Sequence, residues 1–217
     1  MPNLHLMLIG RVPNVVGMNL TVLAASGRTG LALTREALRR GHTVTAIARD
    51  PGRIAVPDSP RLHTVAGDVE DPASLAAVAG STVLSGLGTD RAGVLLAGAK
   101  AVVAAGPARI IWLGAYGTGE SASVAGEAAG ALVKLLGDRL GDKVEADATI
   151  LTAGGTVFHA GLLADGPESP GWRTVGLEAG PPLDFKATIT RATVAAAMLD
   201  EAETPRFAGR IALPLSA

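Results

Sequence analysis

An α/β fold, with one doubly wound and mainly parallel sheet carrying helices on both faces, is what the chain predicts from residue 18 onward. Three observations carry that prediction. Short β-branched or leucine-rich runs alternate with longer segments of helical period. The runs are apolar at successive positions, as strands buried on both faces require, where a half-exposed strand would alternate. Turn and cap residues stand where the two kinds of segment meet.

Taken in order, the expected strands are Asn19 to Ala25, Thr43 to Ala48, Leu62 to Ala66, Thr82 to Ser85, Arg109 to Leu113, Ala148 to Thr152 and Arg210 to Leu213. A helix is expected from Arg28 to Arg40, with Leu31, Thr34 and Leu38 on one face, two arginines complementing the dipole of its last turn, and Gly41 beyond. Asp71 to Gly80 reads as a second helix, because Asp71 suits the cap, Pro72 the first turn and Gly80 the exit. A third covers Ala92 to Ala105. Ser123 to Leu140 is helical in pattern, yet Gly126, Gly130 and Gly137 each cost about 1 kcal/mol relative to alanine, so interruption or close packing is expected. Thr190 to Ala202 closes the series with Val194, Met198 and Leu199 inward. Between Gly154 and Lys186 lies a Gly- and Pro-rich stretch without clear period, read as a long functional loop that holds the substrate pocket.

At 217 residues, one domain is favoured. Residues 1–17 read as an N-terminal extension, and Met18, directly before the first strand, is expected as a possible alternative start. Composition narrows the function. A net charge of -1 with scattered Lys and Arg supplies no basic stripe, so direct nucleic-acid binding is not expected. No apolar run approaches the roughly 20 residues of a membrane helix, so no membrane span is expected. The chain has no Cys, which removes disulfides and thiolate chemistry and suits a reducing, cytoplasmic setting. The four His residues have no metal-like spacing, and no metal site is expected. A small-molecule substrate and a monomer or homodimer are the expected partners.

The strongest local pattern is Thr21-Val22-Leu23-Ala24-Ala25-Ser26-Gly27-Arg28-Thr29-Gly30, a strand running straight into a helix. Free backbone N–H groups and the helix dipole make such a turn an anion site suited to a pyrophosphate. Gly27 would admit phosphates to the backbone, and Gly30 would let the helix pack closely on the strand, which is the Rossmann fingerprint logic. The bland alternative is an ordinary strand-to-helix turn. About twenty residues on, the second strand ends in Ala48-Arg49-Asp50, where an acid would hold a ribose 2′-OH and a base a 2′-phosphate. Arg49 comes first, so NADP(H) is favoured over NAD(H), with Arg28 as a second phosphate contact and Asp50 leaving NAD open.

These residues place the chain in a recognisable group. With Ala25 to Gly30, Gly41 to Pro51, Gly67-Asp68-Val69, Ser85-Gly86-Leu87-Gly88 and Ile189 to Ala195, it resembles the atypical short-chain dehydrogenase/reductases with an NAD(P)H-binding domain. Among these it is similar to NmrA-like proteins and the flavin/biliverdin-IXβ reductases. The resemblance implies that Ala25, Ser26, Gly27, Arg28, Thr29 and Gly30 cradle the cofactor. It also implies that Asp68 and Val69 flank its adenine, and that Gly86, Leu87 and Gly88 run beside it. One departure is Ala24, where the family's first fingerprint glycine stands, which implies weaker binding.

The second departure concerns catalysis. Short-chain reductases pair a Tyr with a Lys four residues on, whereas Tyr116 is followed by Glu120 at that spacing. Gly114 and Ala115 supply no hydroxyl where relatives often have serine. Tyr116 and His159 are the catalytic candidates, each with a bland alternative as a packing or surface residue. Lys134 and Lys143 read as solvated. Hydride transfer to a flavin- or quinone-like acceptor needs alignment more than a dedicated acid, and Phe158, Trp172 and Phe185 are candidate walls for a flat substrate. The expectation is therefore an NADPH-dependent reductase. A non-catalytic NADP(H)-sensing regulator and a non-redox isomerase or epimerase stand as alternatives.

Overall fold

The computed structural model describes residues 17–89 and 91–216. The extension expected over residues 1–17 thus lies, but for Gly17, outside the described residues. In chain order the elements are β1 (Asn19–Leu23), α1 (Arg28–Arg39), β2 (Thr43–Ala48), β3 (Leu62–Ala66), β4 (Thr82–Ser85), α2 (Val94–Ala104) and β5 (Arg109–Ala115). There follow α3 (Ala122–Ala125), α4 (Ala128–Leu136), α5 (Arg139–Thr152), β6 (Thr156–Ala160), β7 (Leu162–Ala164), β8 (Trp172–Gly176), β9 (Thr188–Thr190), α6 (Arg191–Glu203) and β10 (Ile211–Ser216). Among the described residues the main sheet has eight strands in the order β3-β2-β1-β4-β5-β6-β10-β8. Only the β10 and β8 pair is antiparallel. The 3-2-1-4-5-6 succession is the doubly wound Rossmann order, and its direction reverses between β1 and β4. β7 and β9 form a separate parallel pair.

Strand alternation builds two cores. Leu20 and Val22 of β1, Leu84 of β4, Ile111 and Leu113 of β5 and Phe158 of β6 face α1 and α6 with Leu33, Val194 and Met198. Leu23, Val83, Ile110, Trp112 and Val157 face the opposite way, against Leu95, Val102 and Ile150 of α2 and α5. Fully burying each large side chain contributes about 1.5 to 3 kcal/mol, so both faces hold the sheet.

The first five expected strands are present, and several other expectations need correction. Ala148 to Thr152 is not a strand but the last turns of α5. Its β-branched residues sit in a segment whose Ala146, Asp147 and Ile150 share one buried face, and this helical period outweighs local propensity. The sixth strand is instead Thr156–Ala160, inside the stretch 154–186 read as a loop, and that stretch also carries β7 and β8. Asp71 to Gly80 winds as a 3-10 helix over Pro72–Val78 and not as an α-helix. The glycine-rich segment 123–140 is interrupted as anticipated, by Gly126 at φ 72° and Gly137 at φ 53°, left-handed values that end α3 and α4.

Candidate functional site

Both cavities of interest open at the C-terminal edge of the parallel strands. The first is a groove of about 410 Å³ at the point where the sheet order reverses. Its walls come from the ends of β1, β2, β3 and β4. Of the residues singled out in the sequence it brings together Ser26, Gly27, Arg49, Asp68, Val69, Leu87 and Gly88. Ala25, Arg28, Thr29, Gly30 and Gly86 do not line it.

Their backbones belong instead to the turn into α1 and to the loop after β4 that packs against it. The Ala25 N–H donates to the Ile47 carbonyl at 2.9 Å, tying the turn to β2. Gly27 caps α1, and the first-turn N–H groups of Arg28, Thr29 and Gly30 have no helical acceptor by geometry. A Cβ on Gly30 would lie 2.1 Å from the Ala24 carbonyl oxygen, and one on Gly86 would lie 2.9 Å from the Gly30 nitrogen. Ala24 itself sits at φ 57°, a left-handed conformation that favours glycine. The departure from the fingerprint is therefore a matter of backbone strain as well as of room.

Arg28, expected as a second phosphate contact, has an exposed side chain at the rim of the turn. It points to Asp165, 3.6 Å away, which also holds Arg191 at 2.7 Å, and it lies outside the groove. The end of β2 is more telling. Asp50 accepts the Gly52 N–H at 3.0 Å as the cap of a short 3-10 turn, whereas Arg49 lines the groove and has no ion-pair partner among the described residues. Asp68 caps its own loop by accepting the Glu70 N–H at 3.0 Å. Two residues that the sequence did not flag, Glu70 and Arg91, pair with each other and also line the groove.

The second cavity, of about 350 Å³, lies beyond the ends of β5, β6 and β10 and contains both Tyr116 and His159. Leu183, Ile189, Leu213, Leu215 and three prolines make it largely apolar, and Gly161, Arg173 and Pro181 to Asp184 from the stretch 154–186 contribute to it. Tyr116 is buried and donates its hydroxyl to the Pro181 carbonyl. That burial pushes the phenol above its ordinary range. His159 is not on the surface and does not follow the sixth strand; it lies within β6, 2% exposed and opposite Gly114 of β5.

The imidazole is part of a network that the sequence reading missed. Its Nδ1 is 2.7 Å from Ser121 Oγ, and its Nε2 is 3.1 Å from Asp147 Oδ2 on α5. Gly114 makes the space, since a Cβ there would meet His159 Cδ2 at 2.6 Å and Asp147 Oδ2 at 2.9 Å. A serine at this position is thus incompatible with the network. Taking residues 148–152 as a strand removed Asp147 from any helix facing β6, and with it the one signal for the pair. Lys143, expected in solvent, is mostly desolvated on the same helix, and burial lowers its ammonium pKa against the opposing pull of Asp147 and Asp142. The proposed aromatic walls are corrected too. Phe158 belongs to the opposite core, Trp172 donates to Glu168, Phe185 is exposed, and none lines the cavity.

No helix among the described residues is long and apolar enough to cross a membrane. The family described as NAD(P)H-binding matches residues 24–205. Among solved structures, a Burkholderia pseudomallei protein is 28% identical over 91% of this chain and 98% of its own, with a TM-score of 0.71. A short-chain dehydrogenase/reductase from Veillonella parvula in complex with NADP is 19% identical over 91% and 94%, with a TM-score of 0.73. ChuY, an anaerobillin reductase from Escherichia coli O157:H7, is 19% identical over 91% and 97%, with a TM-score of 0.72. With the match spanning most of the chain and the groove lying where doubly wound sheets bind dinucleotides, the protein belongs to the NAD(P)H-binding family and has the fold of the short-chain dehydrogenase/reductases.

Proposed function

We propose that the protein is an NADPH-dependent oxidoreductase that reduces a small, flat acceptor. The observation that carries this reading is the pairing of two cavities on one sheet edge, a groove of mixed polar and apolar lining at the strand-order reversal and a largely apolar cavity beyond the ends of β5, β6 and β10. In this reading the N-terminal turn of α1, with Ser26, Gly27, Arg28, Thr29 and Gly30, holds the pyrophosphate through backbone N–H groups. Ala25 and Gly86 set the closeness of the strands to that turn. Arg49 takes the 2′-phosphate with its guanidinium fork, and Asp50 does not compete because it caps a turn. Asp68 and Val69 flank the adenine, and Leu87 and Gly88 continue the groove wall. A bound reduced nicotinamide would supply hydride, and the chain's residues would orient it.

Tyr116 and His159 enter as walls of the acceptor cavity. The Tyr116 hydroxyl is committed to the Pro181 carbonyl, and both His159 nitrogens are engaged inside the protein, so neither presents a proton to the cavity. Water then supplies the proton, which suits an acceptor such as a flavin or quinone. Oxidation of NADPH with a panel of flavins, quinones and carbonyl compounds is the test. Turnover with a flat acceptor is the expected result, and absence of turnover with all of them would reject the reading. The committed Tyr116 hydroxyl also favours a second reading, an NADP(H)-responsive regulator without turnover. That reading requires unequal affinity for NADP⁺ and NADPH together with a partner protein.

A further inference from the structure

One wall of the acceptor cavity is a single stretch of chain. Pro181 to Asp184 and Ala187 to Ile189 all line it, and the ends of β5, β6 and β10 with Arg173 of β8 supply most of the rest. From Pro181 to Thr188 every residue except the half-buried Leu183 is exposed, including Phe185 and Lys186, which lie outside the lining. This wall therefore has solvent behind it. The sequence accounts for how lightly it is held. Pro181 and Pro182 have no N–H to offer a ladder. Asp184 is spent on a local turn, its Oδ1 accepting the Lys186 N–H at 2.8 Å and its carbonyl the Ala187 N–H at 3.2 Å.

The two ends of the stretch are fixed. On one side the Gly180 N–H donates to the Leu177 carbonyl at 3.0 Å, and on the other Thr188 to Thr190 pair with β7. Between them, two hydrogen bonds tie residues 181–187 to the rest of the described protein. The Leu183 N–H donates to the Ala125 carbonyl at 3.0 Å, with the Leu183 side chain packed beside Gly117, and the Tyr116 hydroxyl donates to the Pro181 carbonyl. The second tie has only one sense, because a carbonyl has no proton to give, and no other donor among the described residues reaches that carbonyl. Its donor belongs to the rigid side. Tyr116 is buried at the end of β5, its own N–H donates to the Ala160 carbonyl at 2.9 Å, and burial keeps the phenol protonated by pushing it above its ordinary range. Gly180 admits the hydroxyl, since a Cβ there would lie 3.0 Å from Tyr116 Oη and 2.4 Å from Leu213 Cδ1.

We infer that residues 181–187 form a strap that opens and closes the acceptor cavity, and that Tyr116 is the latch that holds it shut. This deepens the reductase reading and rests on it only for calling the occupant an acceptor; the strap and its latch stand on the hydrogen bonds and the exposure of the segment. Tyr116 is here a positioning residue. It transfers nothing, and when the strap lifts its hydroxyl and the Pro181 carbonyl each turn to water. Because both ties exchange for water and one half-buried leucine is the apolar anchor, opening costs far less than unfolding the domain.

Two measurements on the full chain test it, neither of which uses a nicotinamide nucleotide, so a negative acceptor panel and a failure here are separate results. Amide hydrogen exchange reads the strap at Leu183, whose N–H is freed only when the tie to Ala125 breaks. In the wild type this amide should exchange by local opening, at a rate that low denaturant does not change, unlike the core amide of Val22. Tyr116→Phe should speed it about fivefold, the loss of one net hydrogen bond, and leave Gly52, held by Asp50 at the far side of the sheet, as it was. Stopped-flow binding of the neutral, flat fluorophore 6-propionyl-2-dimethylaminonaphthalene reads the gate. Entry and exit should both quicken in Y116F by about the same factor, with Kd held within about twofold, because a gate is crossed in both directions. Leu183→Ala, which loosens the strap without touching the phenol, should also speed entry. Leu183 exchange that is unchanged in Y116F or that follows global unfolding, or faster exit with unchanged entry as loss of a wall contact would give, would overturn the inference.

Discussion

Replacing Ala24 by glycine should make the protein more stable, which is the reverse of the usual consequence of placing glycine next to a strand. Ala24 is the one described non-glycine residue with positive φ, at 57°. It has no route to relax. Its carbonyl accepts the Gly27 N–H at 2.9 Å, and the same oxygen lies 2.1 Å from the position a Gly30 Cβ would occupy, so the turn and α1 fix its orientation. An L-residue in the left-handed region costs about 1 to 2 kcal/mol. Glycine gives back about 0.5 to 1 kcal/mol through its greater freedom in the unfolded chain. The difference favours A24G by about 0.5 to 1 kcal/mol, and for a domain of this size each kcal/mol moves Tm by roughly 2 to 4 °C. Thermal unfolding followed by circular dichroism should therefore show a rise of about 1 to 4 °C. Removing a methyl group from the groove wall should also leave NADPH affinity equal or higher. A fall in Tm would refute the strain assignment, because it would mean that the alanine side chain contributes more packing than its backbone costs.

Further changes probe the other close approaches. Gly30→Ala places a Cβ against backbone atoms of Ala24 and Ala25, which cannot rotate aside, and should cost about 2 kcal/mol or more; an unchanged urea midpoint would contradict the tight α1 packing. Gly114→Ser should displace His159 from Asp147 and lose a charge-assisted hydrogen bond of about 1.5 to 3 kcal/mol, measured as a lower midpoint and as altered His159 NMR signals. Tyr116→Phe removes one hydrogen bond to Pro181 and should lower acceptor turnover less than about tenfold, where loss of a general acid costs about 100-fold or more. The same residue gives a pH dependence. Burial raises the folded-state pKa of its phenol, so above about pH 10 the unfolded chain releases a proton that the folded chain keeps, and stability falls as pH rises. Unfolding free energies measured on either side of that pH should show this decline in the wild type and a smaller one in Y116F.

How far the sequence could be read depended on how local each signal was. β1, β2, β4, β5 and the turn into α1 were legible because burial leaves mainly apolar runs, and because Gly27 and Gly30 mark the strand-to-helix turn within ten residues; β3, at the sheet edge, has no fully buried residue. The residues around Ala148-Thr149-Ile150-Leu151-Thr152 were misread because β-branched residues in a short window look like a strand. Only the tertiary fact that Ala146 and Ile150 pack under β5 and β6 makes the helix win. That single error moved the sixth strand, placed His159 beyond it, and concealed its contact with Asp147, twelve residues earlier. The proximity of Arg28 to Asp165 was not legible for a similar reason, since Asp165 comes from a distant loop. Arg49 was read from strand spacing alone, but that Asp50 caps a turn could be seen only in the folded chain.

Calorimetric titration of the full chain with NADPH and with NADH, repeated on Arg49→Ala, bears most directly on the groove at the end of β1. Saturable heat with NADPH, tighter than with NADH, and a selective loss of NADPH affinity in R49A of about 1.5 to 3 kcal/mol is the expected result. No heat with either nucleotide at millimolar concentration would contradict it.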